Sequence, residues 1–309
     1  MAHNKILVIG STGQVGRSFK KLFGETRSVF FADLSPKDTQ DLSCDLTNDD
    51  SIKDLVGKVK PTVIINCAAY TAVDQAEKEE SLATLINGHA VETLAKEAAK
   101  CGAILIHYST DYVFDGTGEE PWTEDSMTNP VNAYGRSKLA GELAVIKLCS
   151  KGYVFRTQWV YNHDGKNFLN TMLRLGSEKE ELSVVGDQVG APTSSDVIAR
   201  YTLKALTKIT SGSMPKGIYN LVCRGEISWH GFAVEIFKIA QLNGFDLKVK
   251  RVNKILSQDY PTLARRPKNS RLNVQKLEAI LGEKIPAWND ALLDVIEERS
   301  NRVRRLNLN

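Results

Sequence analysis

The sequence predicts an α/β fold, a doubly wound parallel sheet carrying a smaller α+β lobe, and three observations predict it. A short apolar run, Lys5 to Ile9, breaks into Gly10-Ser11-Thr12-Gly13-Gln14-Val15-Gly16 and then into helical apolar spacing through Phe19, Leu22 and Phe23; this is the strand, turn and helix that begin a βαβ unit. Apolar runs then alternate with helical segments as far as Arg156, the rhythm of a parallel sheet covered on both faces. From Thr157 onward helices dominate, and the strands Leu182 to Val185, Gly217 to Val222 and Leu247 to Val252 stand further apart. We therefore expect a first domain over residues 1–160 and a second lobe over residues 161–309, with one or two later strands returning to the first sheet.

The totals exclude several classes. Apolar residues make up 42% and charged residues 25% of 309, as in an ordinary globular protein. Forty basic against 37 acidic residues leave +3, far from the charge of a dedicated nucleic-acid binder. No apolar run approaches the roughly 20 residues that span a bilayer, and the N-terminus lacks a secretory pattern, so the expected location is cytoplasmic with no membrane partner. Cys44, Cys67, Cys101, Cys149 and Cys223 show no Cys-x-x-Cys spacing, and the histidines no ligand spacing; no metal is expected.

Taken in order, the first strand and its glycine turn have the context of a Rossmann dinucleotide site. Gly10, Gly13 and Gly16 let the backbone turn tightly and approach a pyrophosphate, whose charge then lies at the positive end of a helix, with Thr12, Gln14 and Val15 between them. The second strand, Ser28 to Ala32, ends in Asp33. A carboxylate there accepts from ribose hydroxyls and favours NADH, while Arg17 and Lys37 nearby leave NADPH open. Pro61 introduces Val63-Ile64-Ile65, too apolar for a one-sided sheet. The small residues that follow, Ala68 and Ala69, with Tyr70 and Thr71, let backbone come close to a cofactor. A long helical pattern from Glu79 to Lys100 closes on Gly102. The strand Ile104 to Tyr108 then delivers Thr110 and Asp111 to its carboxyl end, where ligands bind in such sheets.

Past Pro121, Trp122 and Pro130 comes a helix holding Tyr134 and Lys138, four positions apart. A helical period of about 3.6 residues sets both side chains on one face. A phenol is a poor proton donor near neutrality unless a neighbouring ammonium stabilises its anion, and Lys138 is placed to do that. The strand Tyr153 to Arg156 completes the alternation.

The Gly-x-x-Gly-x-x-Gly form is that of the extended short-chain dehydrogenase/reductases, and the likeness sharpens along the chain. Gly13-Gln14-Val15-Gly16, Thr71-Ala72-Val73-Asp74, Tyr108 through Phe114, Tyr134-Gly135 with Ser137-Lys138-Leu139-Ala140-Gly141-Glu142, Trp159-Val160-Tyr161, Gly190-Ala191-Pro192-Thr193 and Arg266-Pro267 with Asn269 to Asn273 together resemble the dTDP-4-dehydrorhamnose reductase family. The resemblance implies reduction of the C4 ketone of dTDP-4-dehydro-L-rhamnose by NADPH or NADH. Thr110, Tyr134 and Lys138 would be catalytic, with Tyr134 the proton donor. Asp45, Leu46 and Tyr108 would join the cofactor site. Asp111 and Trp159 would contact the sugar, and Asn167 and Arg266 the nucleotide end. Two departures stand out: Gln158 where a small residue is usual before the tryptophan, and Cys67 in place of alanine. The alternatives are a reductase or epimerase of another 4-keto-6-deoxy sugar nucleotide, or a non-catalytic NAD(P)-binding subunit. Exposed helical faces allow a homodimer.

Overall fold

A computed structural model describes residues 5–306. Its first half runs β1 (Ile6–Ile9), α1 (Gln14–Phe23), β2 (Val29–Asp33), β3 (Leu42–Ser43), α2 (Asp49–Val59), β4 (Val63–Asn66), α3 (Val73–Ala76), α4 (Glu80–Thr84), α5 (Ala90–Cys101), β5 (Ile104–Thr110), α6 (Ala133–Leu148) and β6 (Gly152–Thr157). The second half runs β7 (Val160–Tyr161), α7 (Phe168–Glu178), β8 (Glu181–Val185), β9 (Val189–Gly190), β10 (Thr193–Ser194), α8 (Ser195–Thr210), β11 (Gly217–Asn220), β12 (Ile227–Ser228), α9 (Trp229–Leu242), β13 (Arg251–Ile255), α10 (Gln275–Leu281) and α11 (Trp288–Leu306).

Seven strands form one parallel sheet in the order β11-β6-β5-β4-β1-β2-β3. The order reverses between β1 and β4, and by the rule for open α/β sheets the ligand crevice belongs at their carboxyl ends. The period-2 alternation of each strand divides the core into two layers. Leu7, Ile9, Ile64, Leu105 and Val154 face α2 and α5, whereas Val8, Ile65, Ile106, Tyr153 and Phe155 share a layer with Phe19 of α1 and Ile198 and Tyr201 of α8. This is why the strands read as continuous apolar runs.

The second lobe has its own core, built from Leu169 and Leu173 of α7, Leu182 and Val184 of β8, Phe232 and Ile236 of α9, and Leu292 and Ile296 of α11. The sheet takes back one strand from this half, since β11 pairs in parallel with β6. The strand expected over Leu247 to Val252 forms later, as β13. Lys248 and Val249 donate to the Gly176 carbonyl at 2.8 and 3.0 Å and Lys250 to that of Glu180 at 2.7 Å, so the ladder with β8 starts only at Arg251. The helix expected from Glu79 to Lys100 is also interrupted. One π turn, Leu85–His89, lies between α4 and α5.

Candidate active site

Helix caps and strand ends fix the site. Gly10, at φ +84°, begins the turn after β1, and a Cβ on it would fall 2.6 Å from the Ala68 nitrogen. A Cβ on Gly16 would fall 2.1 Å from the Gly10 carbonyl oxygen. The turn is therefore closed to side chains on both sides, and it presents the N-terminus of α1, capped at Gly13 without any side-chain bond. Asp33, ending β2, accepts from the Thr12 N–H at 3.0 Å and the Thr12 hydroxyl at 2.9 Å through one oxygen, Oδ2. Among the described residues, its Oδ1 receives only a long contact of 3.4 Å from the Ser35 N–H. These residues fit a dinucleotide: a side-chain-free cradle for a pyrophosphate at a helix N-terminus, and a carboxylate oxygen for a ribose.

Around this crevice, Asp45 accepts from the N–H and hydroxyl of Thr47 at 2.8 and 2.7 Å, bonds that hold its carboxyl below the usual range. Leu46 packs on the layer containing α2. Arg17 donates to the Thr12 carbonyl and to Asp164 at 2.5 and 2.8 Å, tying the turn to the second lobe. Gln14 and Val15 lie in the first turn of α1, and the Gln14 carboxamide bonds the Val160 carbonyl and the Asn167 amide. Ala68, Ala69 and Tyr70 are half-buried on the opposite wall, and Thr71 is exposed.

That wall is held by a residue sequence reasoning missed. Asn87, in the π turn and buried, accepts from the Tyr70 N–H at 2.8 Å and donates to the Tyr70 carbonyl and the Ser137 hydroxyl, both at 2.9 Å. The bulge aims this amide sideways, out of helical register, as such turns do at functional sites. Nothing in the apolar periodicity marks it.

At the carboxyl end of β5, Thr110 donates to Asp111 Oδ1 at 3.0 Å and Ser270 donates to Asp111 Oδ2 at 2.5 Å. Burial pushes the Asp111 carboxyl up to about 6 against the pull of those hydroxyls. Tyr134 and Lys138 follow on α6, whose N-cap Asn132 accepts from the Gly135 N–H at 2.8 Å. Tyr112 stands edge-on to the Tyr134 ring, centroids 5.6 Å apart. Burial pushes the Tyr134 phenol well above its ordinary value; the Asp111 charge adds to this and the Thr110 hydroxyl opposes it.

Lys138 departs from the simple pairing expected with Tyr134. Its amine lies 3.3 Å from His107 Nε2, and burial lowers it to about 7 although Glu142 pulls upward. In the protein as folded, desolvation is the largest influence on both Tyr134 and Lys138.

The remaining candidates divide. Trp159 sits at φ +47°, a backbone region costly for a bulky side chain, and its ring stacks on Trp229 at 3.6 Å. Arg266 donates to the Tyr112 hydroxyl at 3.1 Å and to Asp74 at 2.7 Å. Arg266, Asp74, Trp229, Phe168 and Val184 line a cleft of about 1250 Å³ between the second lobe and the segments that follow β4 and β5. Asn167 is differently employed. It caps α7 by accepting from the Asn170 N–H and donates to Gln14 and to the carbonyls of Asn162 and Asp164; its amide is engaged at the glycine turn rather than toward the nucleotide end of the cleft. Tyr108 is also redirected: the ring is core, with its hydroxyl 2.8 Å from that of Thr202. Among the described residues, no group of three or more His, Cys, Asp or Glu side chains is arranged to hold a metal ion, and no helix is long and apolar enough to cross a membrane.

Comparison with known proteins places this geometry. The family model for the RmlD substrate binding domain matches residues 4–301. The dTDP-4-dehydrorhamnose reductase of Shigella flexneri is 41% identical over 293 residues, covering 95% of this chain and 97% of the relative, and that of Burkholderia thailandensis is 42% identical, covering 93% and 96%. Among solved structures, a dTDP-4-dehydrorhamnose reductase from Clostridium acetobutylicum superposes with a TM-score of 0.85 at 38% identity, covering 95% of this chain and 99% of the other. One from Bacillus anthracis, solved with NADP, gives 0.85 at 33%, covering 96% and 99%.

Proposed function

Since this chain belongs to the dTDP-4-dehydrorhamnose reductase family, it reduces the C4 ketone of dTDP-4-dehydro-β-L-rhamnose to dTDP-L-rhamnose with NADPH or NADH, and we propose that Thr110, Tyr134 and Lys138 carry the step. The observation that supports the assignment is the meeting of Thr110, Asp111 and Tyr134 at the carboxyl end of β5, beside a glycine turn that fits a dinucleotide.

When bound, the reduced nicotinamide supplies a hydride. Tyr134 donates its proton to the C4 oxygen as charge develops there. Its raised phenol keeps that proton loaded at neutral pH. The Thr110 hydroxyl holds the same oxygen in line, a preorganised donor aimed at developing charge. Asp111, already steadied by Ser270, accepts from sugar hydroxyls, and Trp159 provides the apolar wall. Arg266 is pre-aligned by Asp74 and Tyr112, so its planar fork meets the substrate diphosphate at little entropic cost. Gly10, Gly13, Gly16 and the first turn of α1 receive the cofactor pyrophosphate, Asp33 its adenosine ribose, Asp45 and Leu46 its adenine, and Ala68 to Thr71 its opposite flank. The reading carries a cytoplasmic location.

Incubation with freshly made dTDP-4-dehydro-L-rhamnose and reduced cofactor tests this. One cofactor oxidised per sugar converted, with dTDP-L-rhamnose identified by NMR, is expected. An epimerase would return its cofactor unchanged, and a binding subunit would take up cofactor without turnover.

A further inference from the structure

Beside Lys138 lies a buried imidazole that the mechanism above does not use. His107 on β5 is fully buried, with Asn66 on one side and Lys138 on the other, each no more than 2% exposed. The hydrogen bonds around it fix where its proton sits. The Ala68 N–H can only donate, and it reaches Asn66 Oδ1 at 3.2 Å, so the other atom of that amide is the NH2, also a donor. That NH2 faces His107 Nδ1 at 3.2 Å, which must accept. A neutral imidazole accepting at Nδ1 carries its hydrogen on Nε2, and Nε2 is the atom 3.3 Å from Lys138 Nζ. An ammonium has three donors and no acceptor. Only the neutral amine, with its lone pair, completes this chain of bonds.

We propose that His107 is a positioning residue that donates from Nε2 to Lys138 and holds it as a neutral amine in the cofactor-free enzyme. Charging Lys138 then takes one proton from solvent onto that lone pair and breaks the bond from His107. The inference rests on the catalytic role given to Lys138 above, because the charged form stabilises the phenolate left on Tyr134.

The surroundings leave this pair as the local determinant. From α6, Glu142 pulls Lys138 upward, but it is paired through both oxygens with Arg156 of β6 at 2.9 and 2.7 Å. Asp111, after β5, acts on Tyr134. The Cys67 thiol beyond β4 is pushed well up by burial and is uncharged. Asn87 of the π turn packs on Gly141 without a charge. Burial independently lowers both His107 and Lys138.

Two measurements test the proposal. In the unmodified, cofactor-free enzyme labelled at the lysine ε-carbon and the histidine nitrogens, NMR should show His107 as the Nε2–H tautomer and Lys138 titrating near 7. The Nδ1–H tautomer, or titration at an ordinary lysine value of about 10.4, overturns it. In the pH dependence of kcat/KM, which reports the free enzyme, His107→Phe removes the donor and should move the alkaline limb up by about one pH unit. His107→Gln retains a donor near the same place and should leave the limb where it was. Equal losses of rate in both variants with an unmoved limb would mean a merely structural role. The NMR arm needs no substrate, so an enzyme inactive on the sugar nucleotide would refute the functional reading, while the His107 tautomer and the Lys138 titration would still decide whether the imidazole holds the amine neutral.

Discussion

Asp111→Asn tests the electrostatics of the site through stability. The Asp111 carboxyl rises from 3.8 to about 6 on folding, and burial is the largest cause. At about 1.36 kcal/mol per pH unit, holding it ionised in the fold costs about 3 kcal/mol. Below the unfolded value the group is protonated in both states and the cost is absent. The cost then grows as pH rises from 3.8 and is complete above about 6. The carboxamide removes the charge but exchanges one acceptor for a donor, so the hydroxyls of Thr110 and Ser270 must rearrange, a loss of about 1 kcal/mol. The variant should therefore be about 2 kcal/mol more stable than the parent at pH 8, and equal or slightly weaker at pH 4. Denaturant midpoints followed by fluorescence at a series of pH values measure this, with turnover falling in the same variant. A gain of equal size at both pH values, or a loss at pH 8, would refute the assignment of a strained carboxylate at Asp111.

Two other substitutions address the proton donor and the cofactor cradle. Tyr134→Phe should lower single-turnover rates about a thousand-fold while reduced-cofactor affinity, read by fluorescence titration, changes little; a near-normal rate would remove Tyr134 from the mechanism. Gly10→Ala sets a Cβ 2.6 Å from the Ala68 nitrogen at a φ of +84°, so cofactor affinity should weaken by about tenfold or more, and unchanged binding would show that the crevice between β1 and β4 is not the dinucleotide site.

The parallel sheet and its covering helices were legible because their physics is local and repetitive. Strands covered on both faces read as unbroken apolar runs, and Gly10 and Gly16 signal a turn whose backbone leaves no room for a Cβ at either position. That Tyr134 and Lys138 share one helix was legible for the same reason, as a spacing. What sequence could not convey was how distant segments meet. Ser270 reaches Asp111 from 159 positions away, and Trp229 at the start of α9 stacks on Trp159 in the connection between β6 and β7. Asn87 depends on a π turn, which leaves no mark in a period of about 3.6 residues. Tyr108 and Asn167 were assigned from the resemblance, yet the hydroxyl of one is taken by Thr202 and the amide of the other by Gln14. The β13 shift has the same origin, since bonds to the Gly176 carbonyl lie outside any strand pattern.

The most direct measurement follows the hydrogen that is transferred. With NADPH or NADH carrying deuterium at the nicotinamide C4, the account predicts dTDP-L-rhamnose bearing one deuterium at sugar C4, cofactor oxidised in equal amount, and no label elsewhere in the ring. Product without deuterium at C4, or sugar rearranged while the cofactor stays reduced, would contradict it.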